Sequence, residues 1–360
     1  MRSRAQSGMT ILENVPLAPL TTLQVGGAAR YFAEIKREDE VRGLVQFAEA
    51  RDLPLFVLGG GSNLVIADAG WPGLVLRVAI GGILFDPRST SSRSVHFSVG
   101  AGVNWDDFVA QAIAQNCAGV ECLSGIPGSV GGTPVQNVGA YGQEVADTIE
   151  SVLAFDLKQD RIVNLPKPAC GFRYRASIFN TTERGRYIIL RVNYGLKRGG
   201  APSLKYADLQ KHFAERKTPP SLVEMRAAVR EIRRAKGMLI VPGDDDCRSA
   251  GSFFKNPVLS EEQFKELTER AAAKGFIIPS YPALDAQHKV SAAWLVEHSG
   301  FSKGYALGAA GISAKHALAL INRGDAKASD IVRLKDEIQR GVREAWGILL
   351  EPEPVFVGFT

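Results

Sequence analysis

Two glycine-rich segments are the first places in the sequence where chemistry could be done: residues 59–63 (GGGSN) and residues 124–142 (SGIPGSVGGTPVQNVGAYG). Glycine lets several backbone N–H groups converge on an anion, because no Cβ blocks the approach. Each segment alone could be an irregular tight-turn loop, but the two together favour a bound dinucleotide. Neither fits a Rossmann fingerprint or a P-loop, so a different mode of dinucleotide binding is indicated.

Four polar side chains are further candidates, and two of them have a plain structural alternative. Arg175 in FRYRASIF could grip a carboxylate with its planar fork, or it could simply stack on the neighbouring tyrosine. Ser252, between Gly251 and two phenylalanines, would by default be a buried turn hydroxyl. Glu351 and Glu353 are two apart on an expected strand and would face the same side, so spacing does not choose between them.

A metal centre is not indicated. The cysteines and histidines are isolated, with no C-x-x-C pair and no H-E-x-x-H, and we expect structural or surface roles for most of them. They are Cys117, Cys122, Cys170, Cys247, His96, His212, His288, His298 and His316.

The elements that would position these residues alternate between strand and helix in the first half. We expect strands at 28–35, 53–59, 73–78, 94–102, 150–157 and 186–196. A helix is predicted over 38–50, and another begins after Asn104, a suitable N-cap. The segment 122–144 is too polar and too rich in glycine to be a regular element.

The sequence changes character near residue 200. KRGGAPS is a predicted linker, and a helix follows Ser221, which is spaced from Glu224 as in a capping box. One face of this helix is cationic and could be solvated or could attract phosphates; it carries Arg226, Arg230, Arg233, Arg234 and Lys236. Further helices are predicted at 260–274, 289–298 and 328–346, and a final strand at 348–359.

Composition limits the class of protein. The chain has 360 residues, 45% of them hydrophobic, which is enough for a core, and a net charge of only +5. That charge is small for a nucleic-acid binder, and no run is long and apolar enough for a membrane span. The first residues contain no signal-peptide-like apolar region, so we expect a cytoplasmic protein with no nucleic-acid or membrane partner.

The ordered motifs LGGGSN, VGAGVNW, IPGSVGGTPVQNVGAYG, CGFRYRASIF, AGSFFKNP and LEPE resemble the UDP-N-acetylenolpyruvoylglucosamine reductase family over about residues 17–359. The resemblance implies an α+β protein with a vanillyl-alcohol-oxidase-like (PCMH-type) FAD-binding domain at 24–198. A smaller α+β substrate-binding domain would follow at 201–355, its last strand returning to the active site. SLKYADL, with Tyr206, is similar to the subgroup that has a tyrosine loop.

The same resemblance implies the reaction. NADPH would reduce the enolpyruvyl group of UDP-N-acetylglucosamine enolpyruvate through noncovalent FAD, giving UDP-N-acetylmuramate for peptidoglycan precursor synthesis. Both glycine segments would contact FAD, through residues Gly59, Gly60, Gly61, Ser62, Asn63, Gly128, Ser129, Gly131, Gly132, Asn137, Gly139, Ala140 and Tyr141.

Catalytic roles are implied for three residues: Ser252 as the acid at C-2, with Arg175 and Glu353 at the substrate carboxylate. Substrate contacts are implied for Tyr174, Tyr206, Lys236 and Asn256. Two departures from the family pattern are a longer segment at 237–248 and Pro354, where the family commonly has valine.

Another FAD-dependent oxidoreductase of the same fold is the alternative. Many such oxidases tether FAD covalently, but no histidine lies in either glycine segment. Cys122 is the one residue close enough in sequence to keep a tether in consideration.

Overall fold

The structure is a computed structural model that describes residues 3–4, 9–85, 94–282 and 287–359. The chain forms two compact units, and each is built from separate pieces of sequence. The first unit contains residues up to Val15, Ala29–Gly61 and Trp71–Ala235. The second contains Pro16–Ala28, Ser62–Gly70 and the chain from Lys236 onward. The domain boundaries expected from the family, 24–198 and 201–355, are a division by sequence and stay a prediction.

The first sheet of the first unit is mixed. Three parallel strands lie side by side, and two further strands extend the sheet at one edge. The order is Ser3–Arg4, Thr10–Pro16, Ala28–Ile35, Trp71–Val78 and Leu55–Leu58. The helix Glu40–Glu49 covers this sheet with its apolar stripe of Val41, Leu44, Val45 and Ala48.

The second sheet of this unit is antiparallel. Its strands follow the order Arg161–Pro166, Ile149–Asp156, Tyr187–Arg198, Ser94–Gly100 and Ile83–Phe85, and Cys117–Ala118 pairs with the long central strand. The helix Trp105–Ala114 begins at Asn104, whose side chain accepts from the N–H groups of Asp106 and Asp107. It buries Trp105 and Phe108 against the sheet.

The segment 122–144 is irregular, as its composition predicts. Single turns of 3₁₀ helix lie at its start, within it and directly after it, at Glu121–Leu123, Val130–Gly132 and Val145–Asp147. The strands Gly139–Ala140 and Gln143–Glu144 form a short hairpin near its end. The helices Ala207–His212 and Leu222–Ala235 end the first unit, and the predicted Ser221–Glu224 capping box is present.

In its described residues, the second unit contains two small antiparallel sheets and three α-helices around one core. The four-stranded sheet has the order Ser249–Ser252, Ala319–Asn322, Ala310–Ile312 and Ala306–Leu307. The three-stranded sheet has the order Val258–Leu259, His288–Val290 and Ser280–Pro282. The helices are Glu261–Ala273, Ala292–Glu297 and Ala328–Trp346. The strand Val355–Val357 pairs in parallel with Leu64–Ile66, immediately after the first glycine segment.

Two predicted elements of this unit were wrong in extent. The predicted helix 289–298 begins only at Ala292, because the preceding residues His288–Val290 form the central strand of a three-stranded sheet. The predicted final strand is limited to Val355–Val357, because Pro352 and Pro354 have no N–H to donate to a ladder. Among the described residues, none of the helices has the length and apolar character that a bilayer span requires.

Candidate functional site

The two glycine segments touch each other within the first unit. A Cβ placed on Gly60 would lie 2.5 Å from both the Cα of Gly128 and the backbone nitrogen of Ser129. A Cβ on Gly59 would lie 3.1 Å from the Ser129 hydroxyl oxygen. Only glycine allows two backbones to pass this closely, so the run of glycines is required by the contact between the loops.

The second glycine segment is also fixed to the antiparallel sheet. Gly131 donates to the carbonyl of Ala101 (2.8 Å), and the N–H of Trp105 donates to the carbonyl of Gly128 (3.1 Å). A Cβ on Gly131 would lie 2.6 Å from that of Ala101, whereas a Cβ on Gly132 would meet nothing within 4 Å. One side of the loop is therefore packed, and the other is open to a ligand.

The side chain of Ser129 indicates where a ligand could form a hydrogen bond. Its hydroxyl is buried and has no hydrogen-bond partner among the residues that the structure describes. A buried hydroxyl normally finds a partner, because an unmade hydrogen bond costs about 1–3 kcal/mol. A phosphate-bearing cofactor that approaches the touching glycine loops would provide the acceptor, so these residues fit FAD.

Tyr141 lies at the tip of the hairpin Gly139–Ala140 and Gln143–Glu144. Ala140 pairs with Gln143, and the two residues between them, Tyr141 and Gly142, both have positive φ (49° and 81°). This is the pattern of a type I′ turn, where the first position usually holds Asn, Asp or Gly. A tyrosine at that position is unfavourable for the backbone, which indicates that its side chain is needed there.

Asn137 is buried in the same loop, and its side chain connects three parts of the chain by hydrogen bonds. Its amide donates to a Glu144 carboxylate oxygen (2.7 Å) and to the carbonyl of Arg173 (3.1 Å), and its oxygen accepts from the N–H of Ala146. Both amide hydrogens are thus used inside the protein, although the family resemblance implies a cofactor contact.

Arg175 is presented by a second tight turn. Arg173 and Ala176 exchange backbone hydrogen bonds across it, and Arg175 has a φ of 53°. The guanidinium donates to the carbonyl of Gly139 (2.8 Å) and lies over the ring of Tyr174, 5.3 Å from its centroid. The structure therefore brings Arg175 to the second glycine segment.

Tyr206 lies beside the same hairpin. Its ring meets that of Tyr141 edge-on, with centroids 5.3 Å apart, and its side chain is 42% exposed, much like that of Tyr174 at 41%. Tyr206 directly precedes the helix Ala207–His212, so the tyrosine loop is anchored at its C-terminal side.

The cationic face of the helix Leu222–Ala235 is largely committed to internal contacts. Arg226 and Arg230 both pair with Asp106, which also accepts from the N–H of Gly125 (2.6 Å). Arg233, which the sequence pattern assigned to the polar face, is buried and donates to the carbonyl of Gly125 (3.1 Å). Gly125 is thus held from both sides.

Ionisation of this cluster follows from its partners. Burial opposes the charge on Asp106, but hydrogen bonds from Arg226 and Gly125 and the nearby arginine charges outweigh it, so the pKa of Asp106 lies below its usual value. Burial lowers the pKa of Arg233 from its ordinary value. Sequence inspection missed Asp106 because nothing in its spacing connects it to a helix 120 residues later.

Cys122 does not fit a covalent tether to FAD. It is fully buried, and its thiol donates to the carbonyl of Ser203 (3.4 Å). Burial, together with the charge of Glu121, raises the pKa of Cys122 to about 12, so little reactive thiolate forms.

The second unit contains the remaining candidates: Ser62, Asn63, Lys236, Ser252, Asn256 and Glu353. Ser252 ends a strand that contains a β-bulge, because Ser249 pairs with Ile321 and Ser252 pairs with Ala319. Gly251, inside the bulge, has a φ of 77°. A bulge changes the direction in which the following side chain points, and here it places the Ser252 hydroxyl 3.1 Å from Nε2 of His316.

Glu353 runs beside the residues that follow Ser252. Its N–H donates to the carbonyl of Phe253 (2.8 Å), and its own carbonyl accepts from the amide of Asn63 (3.2 Å). Ser252, Glu353 and the end of the first glycine segment are therefore neighbours along the backbone of this unit.

The structure distinguishes the two glutamates that spacing could not. Glu351 pairs with Lys255 (2.7 Å), and its side chain is 71% exposed. Glu353 is half-buried and lies next to the strand of Ser252. Lys255 is thus engaged by Glu351.

Asn256 and Lys236 were predicted to contact the substrate. Asn256 uses its side-chain oxygen to accept from the N–H of Ala292, at the start of a helix (2.9 Å). Lys236 is half-buried and immediately follows the helix Leu222–Ala235.

The chain is similar to known proteins over nearly its whole length. Residues 242–357 match the family described as UDP-N-acetylenolpyruvoylglucosamine reductase, C-terminal domain, and residues 29–165 match the FAD binding domain. The UDP-N-acetylenolpyruvoylglucosamine reductase of Thermobifida fusca is 44% identical over 352 residues, 96% of this chain and 98% of that protein. That of Salinispora arenicola is 45% identical over 348 residues, 95% of this chain and 94% of that protein.

A solved structure extends the likeness to the fold. The crystal structure of UDP-N-acetylenolpyruvylglucosamine reductase from Thermus caldophilus has a TM-score of 0.64 and 27% sequence identity, covering 97% of this chain and all of that one. These matches confirm the predicted α+β fold class with its FAD-binding domain, the FAD cofactor and the oxidoreductase activity. The chain belongs to the UDP-N-acetylenolpyruvoylglucosamine reductase family.

Proposed function

We propose that Ser252, Arg175 and Glu353 carry the reduction of UDP-N-acetylglucosamine enolpyruvate to UDP-N-acetylmuramate, with NADPH as the reductant. When bound, FAD supplies the hydride chemistry that links NADPH to C-3 of the enolpyruvyl group. The observation that carries the proposal is the bulged presentation of the Ser252 hydroxyl beside the segment that bears Glu353.

Ser252 acts as the acid in this proposal. Addition at C-3 leaves negative charge on C-2 and the adjoining carboxylate, and a hydroxyl suffices to protonate so basic a carbon. A neutral acid also avoids placing another fixed charge beside the cofactor.

Arg175 and Glu353 act on the substrate carboxylate. The planar guanidinium of Arg175 offers two parallel N–H donors and a positive charge, so it can hold a carboxylate as charge accumulates there. Glu353, half-buried, would share that charge as a hydrogen-bond donor in its protonated form.

The remaining assignments follow the family. The two glycine segments hold FAD, with the Ser129 hydroxyl directed to a phosphate, and Tyr174, Tyr206, Lys236 and Asn256 contact the substrate. Residues 24–198 form the FAD-binding domain and residues 201–355 the substrate domain. The nucleotide-linked substrate and NADPH point to a cytoplasmic enzyme that acts on small molecules.

The direct test is NADPH consumption by the purified protein with and without UDP-N-acetylglucosamine enolpyruvate. We expect oxidation to depend on that substrate and to yield one UDP-N-acetylmuramate per NADPH, measured by absorbance at the nicotinamide band and by mass spectrometry. Substrate-independent oxidation, or reduced cofactor that reacts only with oxygen, would instead support an oxidase of the same fold.

A further inference from the structure

Ser252 has a partner to which the family resemblance gave no role. Its hydroxyl oxygen lies 3.1 Å from Nε2 of His316, and both side chains are half-buried. We propose that His316 is a positioning residue: it holds the Ser252 hydroxyl and directs its proton toward the substrate. This inference rests on the proposed acid role of Ser252.

The backbone around His316 is fixed relative to Ser252. His316 lies in the turn of residues 313–318, which joins the strands Ala310–Ile312 and Ala319–Asn322. The buried hydroxyl of Ser313 accepts from the N–H groups of Lys315 (3.0 Å) and His316 (3.3 Å). Ala319, the first residue after the turn, is the strand partner of Ser252.

The segment 237–248, longer than the family pattern, braces this turn. The Lys315 ammonium pairs with the carboxylate of Asp244, and Asp246 accepts from the N–H of Ala314 (3.0 Å). The extra length thus supports the turn that carries His316.

The chemistry favours a specific hydrogen-bond direction. If Nε2 carries the proton and donates to the Ser252 oxygen, the Ser252 O–H is free to point elsewhere. The same N–H stabilises negative charge that develops on the oxygen as the serine proton moves toward carbon. His316 itself gives up no proton in this arrangement.

The test uses three substitutions at His316 and Ser252 in the full FAD-loaded protein. His316→Ala removes the donor, whereas His316→Gln keeps an amide N–H at similar reach. We expect His316→Ala to slow reoxidation of the reduced enzyme by the enolpyruvyl substrate about tenfold, with reduction by NADPH unchanged. His316→Gln should recover most of the lost rate, and Ser252→Ala with His316→Ala should be no slower than Ser252→Ala alone.

His288→Ala is the matched control, since His288 belongs to the same unit but pairs with Glu261. It should leave both half-reactions unchanged. Equal slowing of both half-reactions by His316→Ala, failure of glutamine to rescue, or additive losses in the double variant would each overturn the positioning role.

A second readout does not depend on activity. In protein with ¹⁵N-labelled histidine, Ser252→Ala should shift the Nε2 resonance of His316, assigned from its loss in His316→Gln, and leave the other four histidines unmoved. An unmoved His316 resonance would overturn the contact. If the enolpyruvyl substrate does not reoxidise the reduced wild-type enzyme, the proposed function is overturned. The two failures are therefore distinct.

Discussion

At the scale of single residues, three of the sequence-predicted site residues have left-handed backbones. Asn137, Tyr141 and Arg175 have φ values of 46°, 49° and 53°. Such conformations cost non-glycine residues on the order of 1–3 kcal/mol unless the surroundings enforce them. Motif order alone pointed to these residues, but it could not show the strain, which depends on turns closed by hydrogen bonds elsewhere in the chain. His316 was missed for a similar reason, since 64 residues separate it from Ser252.

Ser252→Ala separates the two half-reactions. NADPH should reduce the flavin of the variant at nearly the wild-type rate, because this step involves no proton at C-2. Its oxidation by the enolpyruvyl substrate should slow at least a hundredfold, since general acid catalysis contributes ~10²–10⁴ in rate.

Stopped-flow absorbance of the flavin resolves both steps. Ser252→Cys should retain more activity than Ser252→Ala, because a thiol can still donate a proton. Equal slowing of both steps by alanine would make Ser252 a structural residue only.

Gly60→Ala tests the contact between the glycine loops. The added methyl would lie 2.5 Å from the Gly128 Cα, so the loops must separate, at a cost of roughly 1–3 kcal/mol in stability. We expect FAD to be retained more weakly, measured as flavin that passes an ultrafiltration membrane. Gly81→Ala is the control, because a Cβ there meets nothing within 4 Å. Undiminished FAD retention by Gly60→Ala would contradict the role of this contact.

At the scale of elements, periodicity and capping residues predicted most helices well. Asn104, Ser221 and Ser260 each begin a helix as expected, since the signals are local. The errors occurred where distant contacts decide: His288–Val290 is a strand because it completes a sheet, and Arg233 is buried because Gly125 offers a carbonyl.

Asp106→Asn should loosen the helix Leu222–Ala235 from the second glycine segment. The change removes the carboxylate that Arg226 and Arg230 share, and we expect a loss of about 1–3 kcal/mol in the free energy of unfolding at pH 7, measured in urea.

The pH dependence of this stability loss follows from the lowered pKa of Asp106. A carboxyl whose pKa is lower in the folded state stabilises the fold above its unfolded pKa of ~3.9, and this contribution disappears as pH falls through the folded value. The difference in free energy of unfolding between the wild type and Asp106→Asn should therefore reach its full size at pH 6–7 and shrink below about pH 4. Asp107→Asn, one residue on and exposed, should show no such difference. A stability difference that does not change with pH would rule out the charge of the Asp106 carboxylate as its cause.

At the scale of the whole molecule, the change of composition near residue 200 suggested two consecutive domains. The compact units are each assembled from separate pieces of sequence, since Pro16–Ala28 and Ser62–Gly70 belong with the chain from Lys236 onward. Composition could not show this, because short segments join a distant unit through backbone pairing and not through any local pattern.

Noncovalent FAD is the prediction at this scale. Denaturation followed by filtration should release all of the yellow colour, and chromatography should identify it as FAD. Flavin that stays with the chain, or flavin identified as FMN, would contradict the prediction. Cys122→Ser should behave as the wild type does, because the thiol is buried and forms little thiolate.

The pairing of Leu64–Ile66 with Val355–Val357 has a consequence for biosynthesis. Asn63 and Glu353, which hydrogen-bond at the start of this pairing, are 290 residues apart. At ~5–20 residues per second, the ribosome makes the later strand ~15–60 s after the earlier one. During that interval Leu64–Ile66 is an apolar strand without its partner, the kind of edge that promotes aggregation. Nascent chains stalled before residue 355 should therefore depend on chaperones more than released chains do.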